Sequence, residues 1–394
     1  LKIQRSLHGP IVSQAGETAI ALRVAGLDRP GIMQQWWDMG QATNLAQFEA
    51  ALKQMQIPMF TVLYADRKGH ILHFFNGQVP VRSQGDFEDW TQLLPGDTSR
   101  NLWTKTHAYQ DLPRIVDPAS GWLQNANDAP WTTTFPTAID PEDYPAYIAP
   151  RGPMSFRAQR SAQMLLNDDK ISFEEVVQYK HSTEMFLADR LLDDLLPLAR
   201  QGSERSQKAA AVLAKWDRQT NADSRGAVLF STWADNLDLE ELFAKPWDAK
   251  TPLSTPDGLA HPQAAIAALE TAAAKVEKNY GALDVSWGEV YRFQSGTAEL
   301  PANGGPAELG VFRTLWFQPT DDHHFRAVGG DSYVAVVEFS NPVRAQVLMT
   351  YGNSTQPNSP HNGDQLQLAA QQKLRPAWRS RSEIETHLAQ REQL

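Results

Sequence analysis

The chain has 394 residues, no cysteine, 36 Lys and Arg against 46 Asp and Glu, and a formal net charge of −10. The length suits roughly two or three domain-sized units, and a hydrophobic share of 42% supports a sizeable core. The acidic balance disfavours nucleic acid as the main partner, and the missing thiols exclude disulfides, a Cys nucleophile and a thiolate metal site.

No apolar run approaches the roughly 20 residues that a membrane span needs. The opening residues LKIQR contain neither an initiator Met nor the apolar stretch of a signal peptide, so the chain reads as a processed or truncated product. Residues 18–27 (TAIALRVAGL) are β-compatible and end at a strong turn signal, DRPG. Residues 44–55 are expected to be helical, with Leu45, Phe48, Leu52 and Met55 at three- and four-residue spacing and Pro58 beyond. Residues 59–65 and 70–75 form an expected hairpin around Asp66-Arg67-Lys68-Gly69. From 84 to 153 the chain is rich in Pro, Asp, Thr and Trp, as in functional loops or irregular connections.

Helix is expected next. Ser172 and Glu175 fit a capping box, and Val176, Val177, Leu187, Leu191 and Leu195 extend an apolar face. Residues 200–208 are polar and read as a turn. A second helix spans 262–280, with Gly281 as its C′ residue. Strands return at 332–339 and 345–350, separated by Ser340-Asn341-Pro342, and the charged tail from 380 reads as a solvated helix. No internal repeat appears. The order fits an α+β core with a large helical insertion.

Few local motifs carry chemistry. Asp321-Asp322-His323-His324 offers four potential ligands, but neighbours on a strand face opposite ways, so it reads as a solvated loop. His70 and His73 are likewise expected on opposite faces. No zinc-protease, phosphate-loop, dinucleotide or hydrolase-elbow motif is present. The segment 121–131 (GWLQNANDAPW) stands out. Its neutral amide donors suit an oxyanion, which needs stabilisation without a permanent charge. The other reading, favoured by these residues alone, is an Asx-turn loop whose amides satisfy its own backbone.

This segment resembles the Asn-containing loop in the β subunit of the penicillin acylase family, which belongs to the N-terminal nucleophile hydrolases. Further pieces are similar in the same order: 5–12 (RSLHGPIV), 60–69 (FTVLYADRKG), 156–160 (FRAQR) and 187–190 (LADR). So are 287–290 (WGEV), 330–333 (GDSY) and 351–365 (YGNSTQPNSPHNGDQ). The LADR and 351–365 pieces look nearest to the branch of acyl-homoserine lactone, aculeacin and cephalosporin acylases.

The resemblance implies an αββα sandwich with a helical insertion. Residues 1–165 would hold part of the core with the Asn loop, 166–282 the mainly helical insertion, and 283–394 the returning strands and tail. It implies an acylase that cleaves small N-acyl amides, such as acyl-homoserine lactones or β-lactam antibiotics, through an acyl-enzyme. The nucleophile is the first residue of the family's β chain, exposed by autocatalytic cleavage, and its own α-amine is the base. Asn127 would donate to the oxyanion and Arg157 would orient it, with Arg151 and Arg160 as near alternatives to Arg157. Leu1 cannot be that nucleophile. The chain therefore reads as a β subunit without its first segment and inactive alone, with that segment and the α subunit as partners. The resemblance also implies a bacterial periplasmic or secreted setting. No cofactor is expected. The family usually carries a structural calcium, and Asp140, Glu142 and Asp143 lie in a suitable region; with some usual ligands missing, a calcium stays open here and no metal site is predicted. The rival reading is a non-catalytic binding or scaffold protein that keeps the acylase fold.

Overall fold

A computed structural model describes residues 3–239 and 241–392. Leu1, unfit as a nucleophile by its side chain, lies outside the described residues. The chain divides into two compact units, Leu1–Met154 and Ser155–Leu394.

In the first unit, β1 (Arg5–Ser6), β2 (Gly9–Ala15) and β3 (Thr18–Ala21) form an antiparallel sheet. The strand expected over 18–27 stops at Ala21, where its pairing with β2 ends at Ile11, and the chain then turns at 25–28 with Gly26 at φ +87°. Its partner β2 escapes sequence reading because Gly9-Pro10 opens it. Next come two helices, α1 (Ile32–Gln41) and α2 (Leu45–Leu52). The second is the helix expected from periodicity, and Asn44 Oδ1 accepts the Gln47 N–H at 3.0 Å to cap it. The first is fastened by Gln35, which is fully buried and whose Oε1 accepts the N–H groups of Gln56 (2.6 Å) and Ile57 (3.0 Å).

The expected hairpin is present as β4 (Met59–Ala65) and β5 (Ile71–Gly77), and β6 (Arg114–Val116) pairs with β5. Alternation along β5 sends Leu72 and Phe74 into a core shared with Leu52, Ile57 and Leu112. His73 points to the opposite face and is also fully buried. Burial holds its pKa down at about 4, and neither ring nitrogen has a hydrogen-bond partner among the described residues.

That histidine makes stability pH-dependent. Its folded pKa lies below the unfolded value, so the neutral ring's contribution is complete above about pH 6.5. It is lost progressively as pH falls to about 4, by on the order of 3 kcal/mol. Unfolding measured from pH 7 to pH 4 should show a shallower decline in His73→Leu than in the parent. Equal declines would show that His73 does not couple protonation to folding.

The second unit begins with helices. They are α3 (Phe156–Leu166), α4 (Phe173–Lys180), α5 (Leu187–Ala199), α6 (Glu204–Leu213) and α7 (Ala227–Ala234). The expected capping box opens α4: Ser172 Oγ accepts the Glu175 N–H (3.3 Å) and Glu175 accepts the Ser172 N–H (2.7 Å). The turn expected over 200–208 ends at Ser203, whose side chain caps α6, so the Ala-rich run beyond it carries the helix. Helix α7 is buried on nearly every side and shows no amphipathic period, which hides it from pattern reading. Its entry needs Gly226 (φ +120°), where a Cβ would meet Trp216 Cβ at 2.6 Å.

A short hairpin, β7 (Phe243–Lys245) and β8 (Asp257–Leu259), precedes α8 (Pro262–Tyr280). Gly281, at φ +77°, ends α8 as expected. After α9 (Trp287–Val290) come β9 (Tyr291–Ser295), β10 (Ala298–Pro301), β11 (Leu315–Pro319) and β12 (Phe325–Gly330). They form a four-stranded sheet in the order β10-β9-β12-β11. The expected late pair is present as β13 (Tyr333–Glu338) and β14 (Arg344–Met349), in register from Tyr333–Met349 to Glu338–Arg344. The short α10 (Leu366–Ala370) leads to β15 (Arg375–Pro376), which pairs with β14. The tail helix is brief, α11 (Arg381–Thr386).

Helices α5 to α8 and the later strands share one core. Its centre is an aromatic column. Trp287 stacks on Tyr291 at 3.6 Å and 7°, and Tyr291 stacks on Phe325 at 4.8 Å and 12°. The α+β class expected from element order is what the structure shows.

Candidate active site

The Asn loop of the first unit is held by its own amides. Gln124 is buried; its Nε2 donates to Thr132 O (2.7 Å) and its backbone N–H donates to Thr133 O (2.8 Å). The Thr133 hydroxyl donates to Gln124 O at 2.9 Å. Asn125 Oδ1 accepts the Asn127 N–H at 3.0 Å, which is an Asx turn. Trp131 Nε1 donates to Pro150 O at 2.9 Å and pins the loop's far end. Asn127 sits at the exposed crest with φ +66°, a left-handed conformation that Asn tolerates better than most residues. The Asx-turn reading thus describes this loop, which Gln124 and Asn125 hold, with Asn127 exposed at its crest.

Arg157 lies in the first turn of α3, in the second unit. Its guanidinium is 6.0 Å from the Phe312 ring centroid. The near alternatives make the following contacts. Arg151 clamps its own loop, donating to Glu142 (2.6 Å), Pro141 O (2.7 Å) and Tyr144 O (2.9 Å). Arg160 pairs with Glu184 at 2.8 Å.

The carboxylates considered for calcium are also in local use. Asp140 Oδ1 accepts the Glu142 N–H at 2.9 Å, and Glu142 already faces Arg151. No group of three or more His, Asp or Glu in metal-holding geometry occurs among the described residues.

The paired histidine motifs separate as alternation demands. His70 Nδ1 lies 2.7 Å from Asp117, whose hydrogen bond raises the imidazole's pKa, while His73 is buried on the other face. The Asp-Asp-His-His run is a turn: Asp322 accepts from the Thr320 hydroxyl and His323 is left-handed at φ +68°.

Most of the remaining resemblance motifs build the scaffold. Asp189 of the LADR helix pairs with Arg218 at 2.5 Å, and Arg190 donates to Gln159 Oε1 at 2.9 Å. Ser286 and Glu289 form the capping box of α9. Gln365, closing the 351–365 segment, accepts the N–H of Met349 (3.1 Å) and Nε of Arg375 (3.2 Å). Asp331 of the GDSY motif differs: it takes Lys180 Nζ at 2.6 Å, beside the ring that Arg157 faces. Nothing in the sequence singled out Lys180. Its position at the end of a capped helix was the available signal.

Residues 1–386 match the family model described as penicillin amidase. The chain belongs to the penicillin amidase family. It is 28% identical to the acyl-homoserine lactone acylase PvdQ of Pseudomonas fluorescens Pf-5, over 91% of the chain and 50% of that relative. It is 24% identical to the aculeacin-A acylase of Actinoplanes utahensis, over 93% of the chain and 52% of the relative. Penicillin acylase 2 proenzyme of Pseudomonas sp. SE83 is 23% identical over 65% of the chain and 33% of its own length. The chain thus spans about half the length of the acyl-homoserine lactone and aculeacin acylases it matches. The thermostable penicillin G acylase of Alcaligenes faecalis superposes with a TM-score of 0.63 at 17% identity, over 100% of the chain and 78% of that structure. The fold is that of this N-terminal nucleophile hydrolase. No helix among the described residues is long and apolar enough to cross a membrane.

Proposed function

We propose that this penicillin amidase family chain supplies the oxyanion-stabilising part of an acylase that hydrolyses small N-acyl amides. The observation that carries this reading is the loop in which Gln124 and Asn125 hold the backbone while Asn127 stands at its exposed crest.

The nucleophile comes from outside residues 1–394, as an N-terminal residue whose α-amine takes up its side-chain proton. The nucleophile's oxygen or sulfur bonds to the amide carbon, and the carbonyl becomes an oxyanion. Asn127 donates a side-chain N–H to it. Arg157 keeps the positioning role that the resemblance implies. The C–N bond breaks as the α-ammonium returns its proton to the leaving amine. Water then attacks the acyl-enzyme, the carboxylic acid leaves and the nucleophile regains its proton. The partners in this reading are the α subunit and the N-terminal β segment of the same precursor, in the periplasm or outside a bacterial cell.

An apolar acyl group is favoured by the branch-like motifs at 187–190 and 351–365, and the first unit also carries an uncovered apolar patch. Trp36 (45% exposed) and Phe60 (54%) meet edge to face at 6.2 Å, with Met59 (70%) alongside in sequence. The complete precursor should be expressed, processed and assayed for primary-amine release. Acyl-homoserine lactones of graded chain length and β-lactams with aromatic side chains belong in the same assay. Amine release from members of either set is the expected result. A fully processed enzyme that releases none from both sets would favour the binding or scaffold reading.

A further inference from the structure

Arg23, Arg29, Arg82 and Lys105 gather in the first unit of a chain whose net charge is −10. Arg82 and Arg23 belong to a ladder of rings and guanidiniums. Arg82 lies 3.9 Å from the Trp90 ring centroid and 4.6 Å from that of Trp103, and Arg23 meets the Trp103 ring at 5.6 Å. Burial lowers the Arg82 pKa to about 10, which leaves it charged at neutral pH, and its buried Nη1 has no hydrogen-bond partner among the described residues. Arg29 donates to neutral oxygens, Met55 O (3.4 Å) and the Thr106 hydroxyl (3.3 Å). None of the four cations takes part in an ion pair among the described residues.

Arg23, Arg29 and Lys105 line one cavity of about 110 Å³, together with Trp103, Thr106 and Asp28. Backbone contacts fix its walls. In the turn at 25–28, the Arg29 N–H donates to Gly26 O (3.0 Å), and Gly26 lies so close to Pro58 that a Cβ would meet Pro58 Cβ at 2.8 Å. On the other wall, Lys105 O accepts the Val81 N–H (3.0 Å) and the His107 N–H donates to Val79 O (2.9 Å). The Arg29 guanidinium spans the two walls through Thr106.

Like charges on fixed walls repel, and an anion among them removes that cost. A planar carboxylate is satisfied by one guanidinium, whereas three cations on two walls suit a tetrahedral oxyanion. Asp28 narrows the choice. It is the one carboxylate lining the cavity, and an ionised carboxylate can only accept hydrogen bonds. A protonated phosphate has an O–H to give it, and sulfate has none.

We propose that this cavity is a phosphate site: Arg23, Arg29 and Lys105 hold the oxygens of inorganic phosphate or a phosphate monoester, and Asp28 accepts its remaining O–H. Trp103, stacked between the charges of Arg82 and Arg23, keeps Arg23 in place. The site does not depend on the acylase reading. A purely structural ladder would only pin residues 84–106 and bind no anion.

Calorimetric titration of the complete processed protein with inorganic phosphate at pH 7, in a buffer free of other oxyanions, tests this. Saturable binding is expected with a Kd of about 1 mM or tighter, and at least about tenfold tighter than for sulfate. Arg23→Met combined with Lys105→Met should weaken phosphate binding at least about tenfold. The unfolding midpoint without phosphate should stay parental, because both side chains are exposed. Asp28→Asn, which offers an N–H as well as an acceptor, should bring sulfate to within about threefold of phosphate. Glycerol 3-phosphate separates the two sources: binding at least as tight as phosphate identifies a monoester as the ligand, and weaker binding identifies free phosphate. The proposal is overturned if about 20 mM phosphate gives neither saturable heat nor a rise in the unfolding midpoint. It is also overturned if sulfate binds the parent as tightly as phosphate, or if the double variant keeps parental phosphate affinity.

Discussion

Replacing Asn127 by Ala in the complete enzyme should lower kcat by about 10²–10³, equivalent to about 2.7–4 kcal/mol of transition-state stabilisation. KM should change little, because the oxyanion exists only once the carbonyl has been attacked. The backbone complicates this variant. Asn127 has φ +66°, where Ala is strained by about 1 kcal/mol. Asn127→Gly removes the amide and relieves that strain. Its kcat should fall by as much as that of Asn127→Ala, while its unfolding midpoint stays parental. Asn125→Ala should behave differently. It removes the acceptor for the Asn127 N–H, so it should loosen the loop and lower stability along with rate. A parental kcat in Asn127→Gly would remove Asn127 from the oxyanion site.

The largest effect on stability is expected at Trp287. The side chain is fully buried, stacks on Tyr291 and meets Phe317 edge-on at 6.2 Å. Its indole N–H has no hydrogen-bond partner among the described residues, so its contribution comes from burial and packing. Trp287→Ala should destabilise the second unit by about 3–5 kcal/mol. Trp287→Phe keeps an aromatic face against Tyr291 and should cost less than about 2 kcal/mol. Chemical denaturation of the two variants alongside the parent measures both. A loss below about 1 kcal/mol in Trp287→Ala would show that the column does not anchor this core.

Several elements were legible because a local rule governed them. The β4–β5 hairpin comes from alternation around Asp66-Arg67-Lys68-Gly69, and its register agrees. Helix α4 comes from Ser172 and Glu175, and the end of α8 from Gly281. Other elements broke local rules for tertiary reasons. Helix α7 has no polar face because protein surrounds it. The strand expected through residue 27 ends at Ala21 because its hairpin partner sets the pairing. Residues 204–208 look like a polar turn but begin a helix whose other face packs into the core.

The candidate site divides along the same line. Sequence alone determined the family resemblance, the α+β class and the residue types of the Asn loop, because each depends on order and local chemistry. Only the tertiary structure decided that Gln124 and Asn125 are spent on the loop while Asn127 crests it. It also decided that Arg151 and Arg160 have partners of their own, and that Lys180 and Asp331 meet beside the ring that Arg157 faces. Lys180 and Asp331 are 151 positions apart, and no local period or motif couples residues at that distance. Their meeting is set by how α4 packs against the later strands, which is a property of the folded core and not of any segment.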